Sequence, residues 1–488
     1  MIPALRIRSL NAAPVAEDGQ FVLYWMTAYR RGTWNFSLER AVEWAQQLDR
    51  PLVILEALRC GYRWASDRLH QFVIEGMAEN AAWFARKPVT YYPYLETAAG
   101  DGDGLVDTLA QQACVVITDD FPCFFLPRMI SRAARRLPVL VESIDSNGLY
   151  PMSAAEGQVF TVAHSFRRHL QKTLLPHLHE MPSEDPLAGS RLKRLDTLPA
   201  EVLRRWPSAD CEPIAARRQS LAHLPIDHSV TMVQQRGGAH QAQKVWRLFR
   251  DDPAKFPLYG SRRNEPSEDV SSGLSPYLHF GHISAHQLFT EITRRDGWSP
   301  DKVAPKPTGQ QRGWWGGSES LDSFLEELIV WREIGFNFCH YRTDYGHFSS
   351  LPDWVQQTLT KHAADPRSHL YTLAEFEQSR THDPLWNAAQ RQLVREGRIH
   401  NYLRMLWGKK ILEWTASPQQ ALDFMVELNN KYALDGRNPN SYTGIMWVLG
   451  RYDRAWGPER PVFGLIRYMS SENTARKLET QTYLRRYS

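Results

Sequence analysis

The sequence is poor in cysteine and has no long apolar run. Its cysteines are scattered and include no CxxC pair, which argues against zinc sites and cysteine-ligated iron–sulfur clusters. They are Cys60, Cys114, Cys123, Cys211 and Cys339. No apolar run approaches membrane-spanning length, and the N-terminus lacks the apolar core of a signal peptide. Because single thiols fit a reducing compartment, we expect a soluble, cytoplasmic protein without a metal site.

An excess of charge of one sign is also missing. With 58 Lys and Arg against 54 Asp and Glu, the net charge is only +4, so affinity for a polyanion would have to come from local arginine clusters. The length of 488 residues is typical of two or three domains. Aromatic residues, in contrast, are abundant, with 17 tryptophans in the chain. So many indoles imply large buried rings or rings held for a ligand.

The first third of the chain alternates apolar strands with amphipathic helices, a pattern typical of a doubly wound parallel sheet. Such sheets bind ligands at the carboxyl ends of their strands. No GxGxxG motif follows the first strand, so the nicotinamide-binding fingerprint is absent. The predicted strands are Phe21–Met26, Pro51–Leu58, Val89–Leu95, Ala113–Asp119, Val139–Asp145 and Val159–His164, and the helices between them include Leu38–Leu48, Arg68–Phe84 and Pro127–Arg136.

The remaining chain is predicted to be helical. Residues 176–237 are rich in Pro, Arg, His and Asp and are predicted to form an interdomain linker, helical near Leu198–Arg205. An α/β domain would therefore span residues 1–175, and a larger all-helical domain residues 238–488. The predicted helices are Ala239–Arg250, Ser284–Arg295, Ser320–His340, Asp383–Glu396, Tyr402–Trp414, Pro418–Asn430 and Tyr442–Val448.

Three segments of the helical part carry residues suited to chemistry, each with a structural alternative. Ser271–Ser275 places hydroxyls and a glycine before a helix, which suits a phosphate or a simple N-capping loop. Glu327 and Trp331 lie four apart, so they share a helical face as a binding pair or as a solvated edge. Asn429–Asn440, with Asp435 and Gly436, is a turn that could also direct amide and carboxylate groups at a ligand.

Tryptophan recurs along Asp383–Tyr468 among basic residues, at positions 386, 407, 414, 447 and 456. Trp407 and Trp414 are seven apart on one predicted helix and so share a face. Such rings can be ordinary core, stacking platforms or an electron relay beside a redox cofactor.

Six ordered motifs resemble those of the class II cyclobutane-pyrimidine-dimer photolyases, in the photolyase/cryptochrome family. They are SGLSPYLHFGHIS, EELIVWRE followed by NFCHY, DPLWNAAQ, GRIHNYLRMLWGKKILEW, ALDGRNPNSYTG and ERPVFGLIRYM. The resemblance implies a Rossmann-like N-terminal domain and an all-α domain that binds FAD. It also implies light-driven repair of dimers in UV-damaged DNA by electron transfer from fully reduced FAD, with no general acid or nucleophile.

The resemblance also implies roles for individual residues. Asn429 matches the residue that faces the flavin N5. Glu327 matches the glutamate that hydrogen-bonds the dimer, beside Trp331, Trp447 and Met405. Trp407 matches the proximal photoreduction tryptophan, Trp386 the outer relay, and Trp414 an accessory neighbour. Arg454 and Arg467 are the favoured DNA contacts, with Arg437, Arg451 and Arg460 as further candidates. The implied FAD contacts are Tyr259, Ser271, Ser272, Gly273, Leu274, Ser275, Asn429, Asp435, Gly436 and Asn440.

The chain departs from the family pattern at three places. Gly450–Arg454 is one residue shorter than the usual GGVHDR, Leu465 stands where lysine is common, and the Thr27–Phe36 segment differs from the usual RDQR…DN. A photoreceptor of the cryptochrome type that binds FAD without repair, and a non-catalytic nucleic-acid-binding module, are the alternatives. The crevice of the parallel sheet could hold a deazaflavin, a folate or no antenna chromophore at all, and we expect a monomer.

Overall fold

A computed structural model describes residues 2–217 and 221–488 of the chain. The chain divides into two compact units, each made of several segments. The first contains the residues up to Glu156 with Pro176–Trp246 and Gly273–Glu291, and the second contains Gly157–Leu175, Arg247–Ser272 and Ile292–Ser488. Residues 218–220, inside the predicted linker, lie outside the described residues. The domain boundaries expected near residues 175 and 238 stay predictions.

The first unit contains a six-stranded sheet in the order β1-β6-β5-β2-β3-β4. Its strands are β1 (Ile7–Ser9), β2 (Phe21–Met26), β3 (Leu52–Leu58), β4 (Thr90–Leu95), β5 (Ala113–Asp119) and β6 (Val141–Ile144). Strands β2 to β6 pair in parallel, and β1 joins β6 antiparallel. The chain runs from the central strand β2 to one edge and returns to β5 on its other side. This confirms the predicted doubly wound parallel sheet.

Both faces of this sheet are buried. Along β2, Phe21, Leu23 and Trp25 face one apolar cluster, whereas Val22, Tyr24 and Met26 face another. Alternate residues of a strand point to opposite faces, so every residue of β2 must be apolar. Trp206, from the predicted linker, packs into the first of these clusters, and its indole N–H donates to the Asp101 carbonyl at 2.7 Å.

All six strands of the sheet lie in the first unit, whereas the helices of the described residues lie in both units. In chain order they are α1 (Phe36–Gln47), α2 (Asp67–Phe84), α3 (Leu105–Ala110), α4 (Leu126–Ala134), α5 (Ala163–Thr173), α6 (Ala200–Arg205), α7 (Cys211–Arg217), α8 (Ala239–Asp251), α9 (Phe256–Arg262), α10 (Ser275–His279), α11 (Ala285–Arg295), α12 (Glu319–Leu325), α13 (Arg332–Tyr341), α14 (Asp353–Lys361), α15 (Leu373–Glu377), α16 (Pro384–Glu396), α17 (Asn401–Glu413), α18 (Pro418–Tyr432), α19 (Pro439–Val448), α20 (Ser471–Lys477) and α21 (Gln481–Arg486). Short 3₁₀ turns cover Ala4–Arg6, Met152–Ala155, Leu175–His179, Pro300–Lys302 and Phe348–Ser350. A π-helical turn, Glu326–Trp331, joins α12 to α13.

Capping residues explain where the helices around the site begin. The Asp383 side chain accepts from the backbone N–H groups of residues 385 and 386, with Pro384 at the first helical position of α16. Asn438 caps α19 in the same way, ahead of Pro439. Helix α16 ends at Gly397, whose φ of 70° lies in the left-handed region that glycine adopts without strain.

The segment Gly273–Glu291 closes the first unit against its own N-terminal part. The Arg31 guanidinium donates to the Gly281 carbonyl at 2.9 Å, a contact between residues 250 positions apart. A Cβ on Gly281 would lie 2.0 Å from the Ala28 carbonyl oxygen, so only glycine fits this approach. Contacts of this segment therefore help to complete the α/β unit.

One strand expectation was wrong. Val159–His164 is not a strand, since α5 begins at Ala163 and Val162 makes only an isolated bridge with Tyr452. In the described part of the chain, no helix is long and apolar enough to cross a membrane.

Candidate functional site

The π-helical turn Glu326–Trp331 carries the predicted pair Glu327 and Trp331. Both side chains are half-buried, whereas Glu326, Leu328 and the two following residues are buried. In a π-turn the hydrogen bonds run from i to i+5, so each turn holds more residues than an α-turn, and such turns recur at functional sites. Positions four apart then lie close to one full turn, which places the Glu327 carboxylate and the Trp331 indole on one face.

Glu327 is paired with Arg263, a residue that no sequence motif had indicated. The Arg263 guanidinium donates to the carboxylate Oε1 of Glu327 and lies 5.5 Å from the centre of the Tyr259 ring. Burial works to lower the pKa of Arg263, but the attraction of Glu327 outweighs it, and the pKa lies above its usual value. Burial, and then the negative charge of Glu327, raise the pKa of Tyr259 to about 12. The pair fixes the Glu327 carboxylate beside a neutral phenol.

Trp447 lies on α19, half-buried, with two cations near its ring. The Lys409 ammonium is 5.2 Å from the ring centre, and the Arg467 guanidinium is 5.7 Å away. Lys409 is only 1% exposed, and its Nζ donates to the Val448 carbonyl at 2.5 Å, at the end of α19. Lys409 thus positions both the helix end and the indole, a role that its sequence neighbours did not indicate.

The two favoured DNA-contact arginines share one indole. Arg467 lies 4.1 Å and Arg454 4.4 Å from the centre of the Trp456 ring. Arg467 also donates to the Asp453 carboxylate at 2.7 Å, and the Trp456 N–H donates to the same carboxylate at 3.2 Å. Arg454 is exposed and Arg467 half-buried. Trp456, which had no predicted role, therefore supports a basic rim that a phosphate backbone can approach.

Two further candidate arginines lie inside the protein instead. Arg451 is 1% exposed and donates to the carbonyls of Ser350 and Phe160, the latter at 3.1 Å. Arg437 is 2% exposed and donates to the carbonyls of Asn430 and Leu434. This burial argues against phosphate contacts by either residue, because their donors already satisfy backbone acceptors.

The turn between α18 and α19 is tied to the π-helical segment. Asn440 donates from its amide to the Trp331 carbonyl at 2.8 Å. Asn429 is 3% exposed, and its amide donates to the Asn430 side chain at 3.2 Å. Both carboxylate oxygens of Asp435 accept hydrogen bonds from the Arg404 guanidinium, each at 3.4 Å. The predicted flavin-contacting turn and the predicted lesion-contacting turn are thus one hydrogen-bonded structure.

These residues fit a flavin. The Arg404 Nε is buried and, among the described residues, has no hydrogen-bond partner, although it stands beside the Asp435 carboxylate. A guanidinium donor, a carboxylate acceptor and a buried amide suit a planar ring whose edge both donates and accepts. Gly273, in the serine-rich loop Ser271–Ser275, has a φ of 66°. The boundary between the two units falls in this loop, between Ser272 and Gly273. Leu274 is buried and Ser275 begins α10.

Three buried tryptophans form a continuous row. Trp407 and Trp386 stack with ring centres 6.4 Å apart and planes 5° apart, and Trp414 lies 6.2 Å from Trp386. Their exposures are 2%, 0% and 1%. The Trp407 N–H donates to Gln390 at 2.9 Å, and the Trp386 N–H to the Trp407 carbonyl at 3.0 Å.

Met405 is half-buried on the same helix as Trp407, and Gly436 is buried in the turn.

Known proteins resemble this chain over nearly its whole length. The chain is 34% identical to the deoxyribodipyrimidine photo-lyase of Methanothermobacter thermautotrophicus, covering 100% of this chain and 98% of that protein. It is also 34% identical to the deoxyribodipyrimidine photo-lyase of Oryza sativa subsp. japonica, over 96% and 87% of the two chains. A solved class III photolyase from Agrobacterium tumefaciens matches with a TM-score of 0.67 at 17% identity, over 96% of this chain and 86% of that one.

No protein-family model matches the chain. The structural match, at this low identity, shows the fold alone. The identity to full-length relatives decides the family: the chain belongs to the deoxyribodipyrimidine photolyases.

Proposed function

We propose that the protein is a deoxyribodipyrimidine photolyase, a carbon–carbon lyase that uses light to repair cyclobutane pyrimidine dimers in DNA. The observation that carries this proposal is the half-buried Glu327, held by Arg263 on the same face as Trp331. A light sensor has no need of such a carboxylate and indole pair, and this favours repair over the cryptochrome-type alternative. Membership of the family supports the same choice.

In this function the chain binds a dimer turned out of the duplex. A damaged, poorly paired base step costs less to extrude than an intact one. The Glu327 carboxylate accepts a hydrogen bond from the dimer, and Trp331 and Trp447 pack against its faces, with Met405 beside them. Arg454 and Arg467 hold the phosphate backbone around the extruded nucleotides.

FAD would be held by the serine-rich loop, by Tyr259, by Asn429 near the end of α18, by Asp435 and Gly436 in the turn that follows, and by Asn440 at the start of α19. When bound and reduced, FAD supplies the electron that light drives to the dimer, and the electron returns after the cyclobutane ring opens. Asn429 presents a neutral amide to the reduced ring, where a carboxylate would repel it. Trp407, Trp386 and Trp414 conduct electrons inward when an oxidised cofactor must be reduced.

If the protein carries an antenna chromophore, we propose that a deazaflavin or a folate binds in the first unit. Asp119 Oδ2 accepts the backbone N–H groups of Thr27, Ala28 and Tyr29 at 2.7 to 2.9 Å. These amides follow β2 and are already satisfied by a carboxylate, so a chromophore in this unit would not be anchored there by a phosphate. The absorption spectrum of the purified protein tests whether a second chromophore is present. A monomeric state and a cytoplasmic location also stay predictions.

The central test compares Glu327→Gln with Glu319→Gln, which changes an exposed glutamate in α12, the helix that precedes the π-helical turn. Loss of one charged hydrogen bond costs about 1.5 to 3 kcal/mol, and about 1.4 kcal/mol is tenfold in affinity. We expect Glu327→Gln to bind a dimer-containing oligonucleotide about tenfold more weakly in the dark. Its repair under blue light, below saturation, should fall in proportion, with FAD content unchanged.

Glu319→Gln should behave as the wild type in both measurements. Flavin photoreduction without any repaired product in the wild type would refute the repair function and favour the photoreceptor. Unchanged binding and repair by Glu327→Gln would refute the role of this carboxylate. A protein purified without any flavin, and unable to take it up, would favour a non-catalytic nucleic-acid-binding module.

A further inference from the structure

The tryptophan row ends inside the protein. Trp414 is 1% exposed, so a positive charge left on its indole is cut off from water. An unpaired charge in such surroundings is costly, and it would draw the electron back along the row. A productive relay therefore needs a further donor between Trp414 and the surface.

A tyrosine and two histidines lie beyond Trp414 and form what we call the exit cluster: Tyr371, His382 and His369. The Tyr371 ring centre is 5.8 Å from that of Trp414, and the Tyr371 N–H donates to the Trp414 carbonyl at 3.1 Å. His382 lies 4.8 Å from Trp414 and stacks on His369, with ring centres 3.7 Å apart. Tyr371 is half-buried, and both histidines are more exposed than Trp414. The cluster thus spans the distance from the buried indole to solvent.

The hydrogen bonds of the phenol place a base within reach of its proton. The Tyr371 oxygen accepts the backbone N–H of His382 at 3.0 Å and lies 2.7 Å from His382 Nδ1. In the tautomer that carries its hydrogen on Nε2, His382 Nδ1 is an acceptor at hydrogen-bond distance from the phenol O–H. Burial, and then the neighbouring His369, lower the pKa of His382, which keeps the ring neutral and able to accept a proton at neutral pH.

We propose that the exit cluster is the terminal, proton-coupled electron donor of the tryptophan row, an inference that rests on the proposed photoreduction. Oxidised FAD, when bound and excited by light, would supply the oxidant, and Trp407 would give up the first electron. Trp386 then reduces the oxidised Trp407, and Trp414 reduces Trp386, which leaves a radical cation on Trp414. Tyr371 then gives one electron to the Trp414 radical cation, and its O–H bond breaks as the proton moves to His382 Nδ1. The products are a neutral indole, a neutral tyrosyl radical and an imidazolium, whose positive charge now faces water.

The balance is completed by an external thiolate, which gives one electron to the tyrosyl oxygen and becomes a thiyl radical, while His382 returns the proton; two thiyl radicals then pair as a disulfide. The buried row is then restored, and the reducing equivalent has come from solution. His382 acts as a proton acceptor in this step, and His369 as a positioning residue that stacks on it.

The test is electron paramagnetic resonance on the FAD-loaded, oxidised protein, frozen after illumination without thiol. We expect a tyrosyl radical in the wild type. Tyr371→Phe should reduce this signal at least about fivefold and leave tryptophanyl radical in its place. Tyr487→Phe is the matched control, because its hydroxyl also donates to a potential base, the Glu396 carboxylate, at 2.8 Å. That variant should keep the tyrosyl signal.

His382→Ala tests the proton step and does not depend on the fate of the Tyr371 variant. It should lose the tyrosyl signal, and added imidazole should restore it, since solvent reaches the position. A tyrosyl signal that survives in Tyr371→Phe, or a wild type that photoreduces with tryptophanyl radical alone, would overturn the exit cluster while leaving the proposed function intact. A wild type whose flavin is not photoreduced at all would instead overturn the proposed relay.

Discussion

Lys409 should make the stability of this protein depend on pH in an unusual direction. Burial, partly opposed by Asp453 and reinforced by Arg467, lowers the pKa of Lys409 from 10.5 to about 7. Lowering a pKa by one corresponds to about 1.4 kcal/mol, so the charged form costs about 5 kcal/mol in the folded state.

The sign follows from proton binding. Between about pH 7 and about pH 10.5 the unfolded chain holds a proton on this amine that the folded chain releases. The free energy of unfolding therefore rises with pH in this range, by up to about 1.4 kcal/mol for each pH unit. Below about pH 7 both states are protonated, and the contribution no longer changes.

Lys409→Met removes this titration, so the comparison of the variant with the wild type isolates it. Urea unfolding followed by circular dichroism should show the free-energy difference between the two proteins changing by about 2 kcal/mol from about pH 7 to about pH 9. As pH rises, the free energy of unfolding of the wild type increases relative to that of the variant. Other titrating groups cancel in this difference.

The neighbouring residue is the matched control. Burial works to lower the pKa of Lys410, but Glu413, at 2.8 Å, outweighs it and raises the pKa. Its stabilising contribution is therefore fully present below the unfolded pKa and is lost only at more alkaline pH. Lys410→Met should differ from the wild type by the same amount at both pH values. An equally constant difference for Lys409→Met would refute the buried, easily neutralised amine.

Two further predictions concern the relay and the packing of the site. Trp407→Phe should slow photoreduction of oxidised flavin severalfold, yet repair by chemically reduced enzyme should stay near normal; parallel loss of both would contradict the relay. Gly335→Ala should lower the thermal midpoint, because its Cβ would lie 3.1 Å from the Pro439 backbone, an overpacking that typically costs about 1 to 3 kcal/mol. Gly444→Ala meets nothing within 4 Å and should raise it, so shifts of the same sign would refute the packing argument.

The sheet was predictable because its strands are buried on both faces. Phe21–Met26 and Ala113–Asp119 are mostly apolar runs, and both strands have the predicted bounds. Strand β1 has three residues, one half-buried and two exposed, so it shows no hydrophobic pattern to detect. Val159–His164 was wrongly predicted to be a strand because it contains apolar residues, whereas helix α5 begins within it.

Contacts within the site were harder to predict than its motifs. Helix periodicity placed Glu327 and Trp331 together, but it cannot reveal a π-turn, which inserts extra residues into a turn without changing composition. Arg263 meets Glu327 across 64 positions, and only folding brings them together. The burial of Arg451 was equally hidden, because a charged residue in a polar loop is usually exposed.

The interleaving of the two units has a consequence for synthesis on the ribosome. The chain passes between the units at residues 156, 175, 246, 272 and 291, so neither is one continuous stretch. Arg31 emerges early, but its acceptor at Gly281 follows 250 residues later. The α/β unit therefore cannot complete its fold until segments of the other unit have also been synthesised. Fragments that end near residue 175 or 237 would lack the contact between Arg31 and Gly281. An expression strategy for either unit alone would have to rejoin distant segments in a new order.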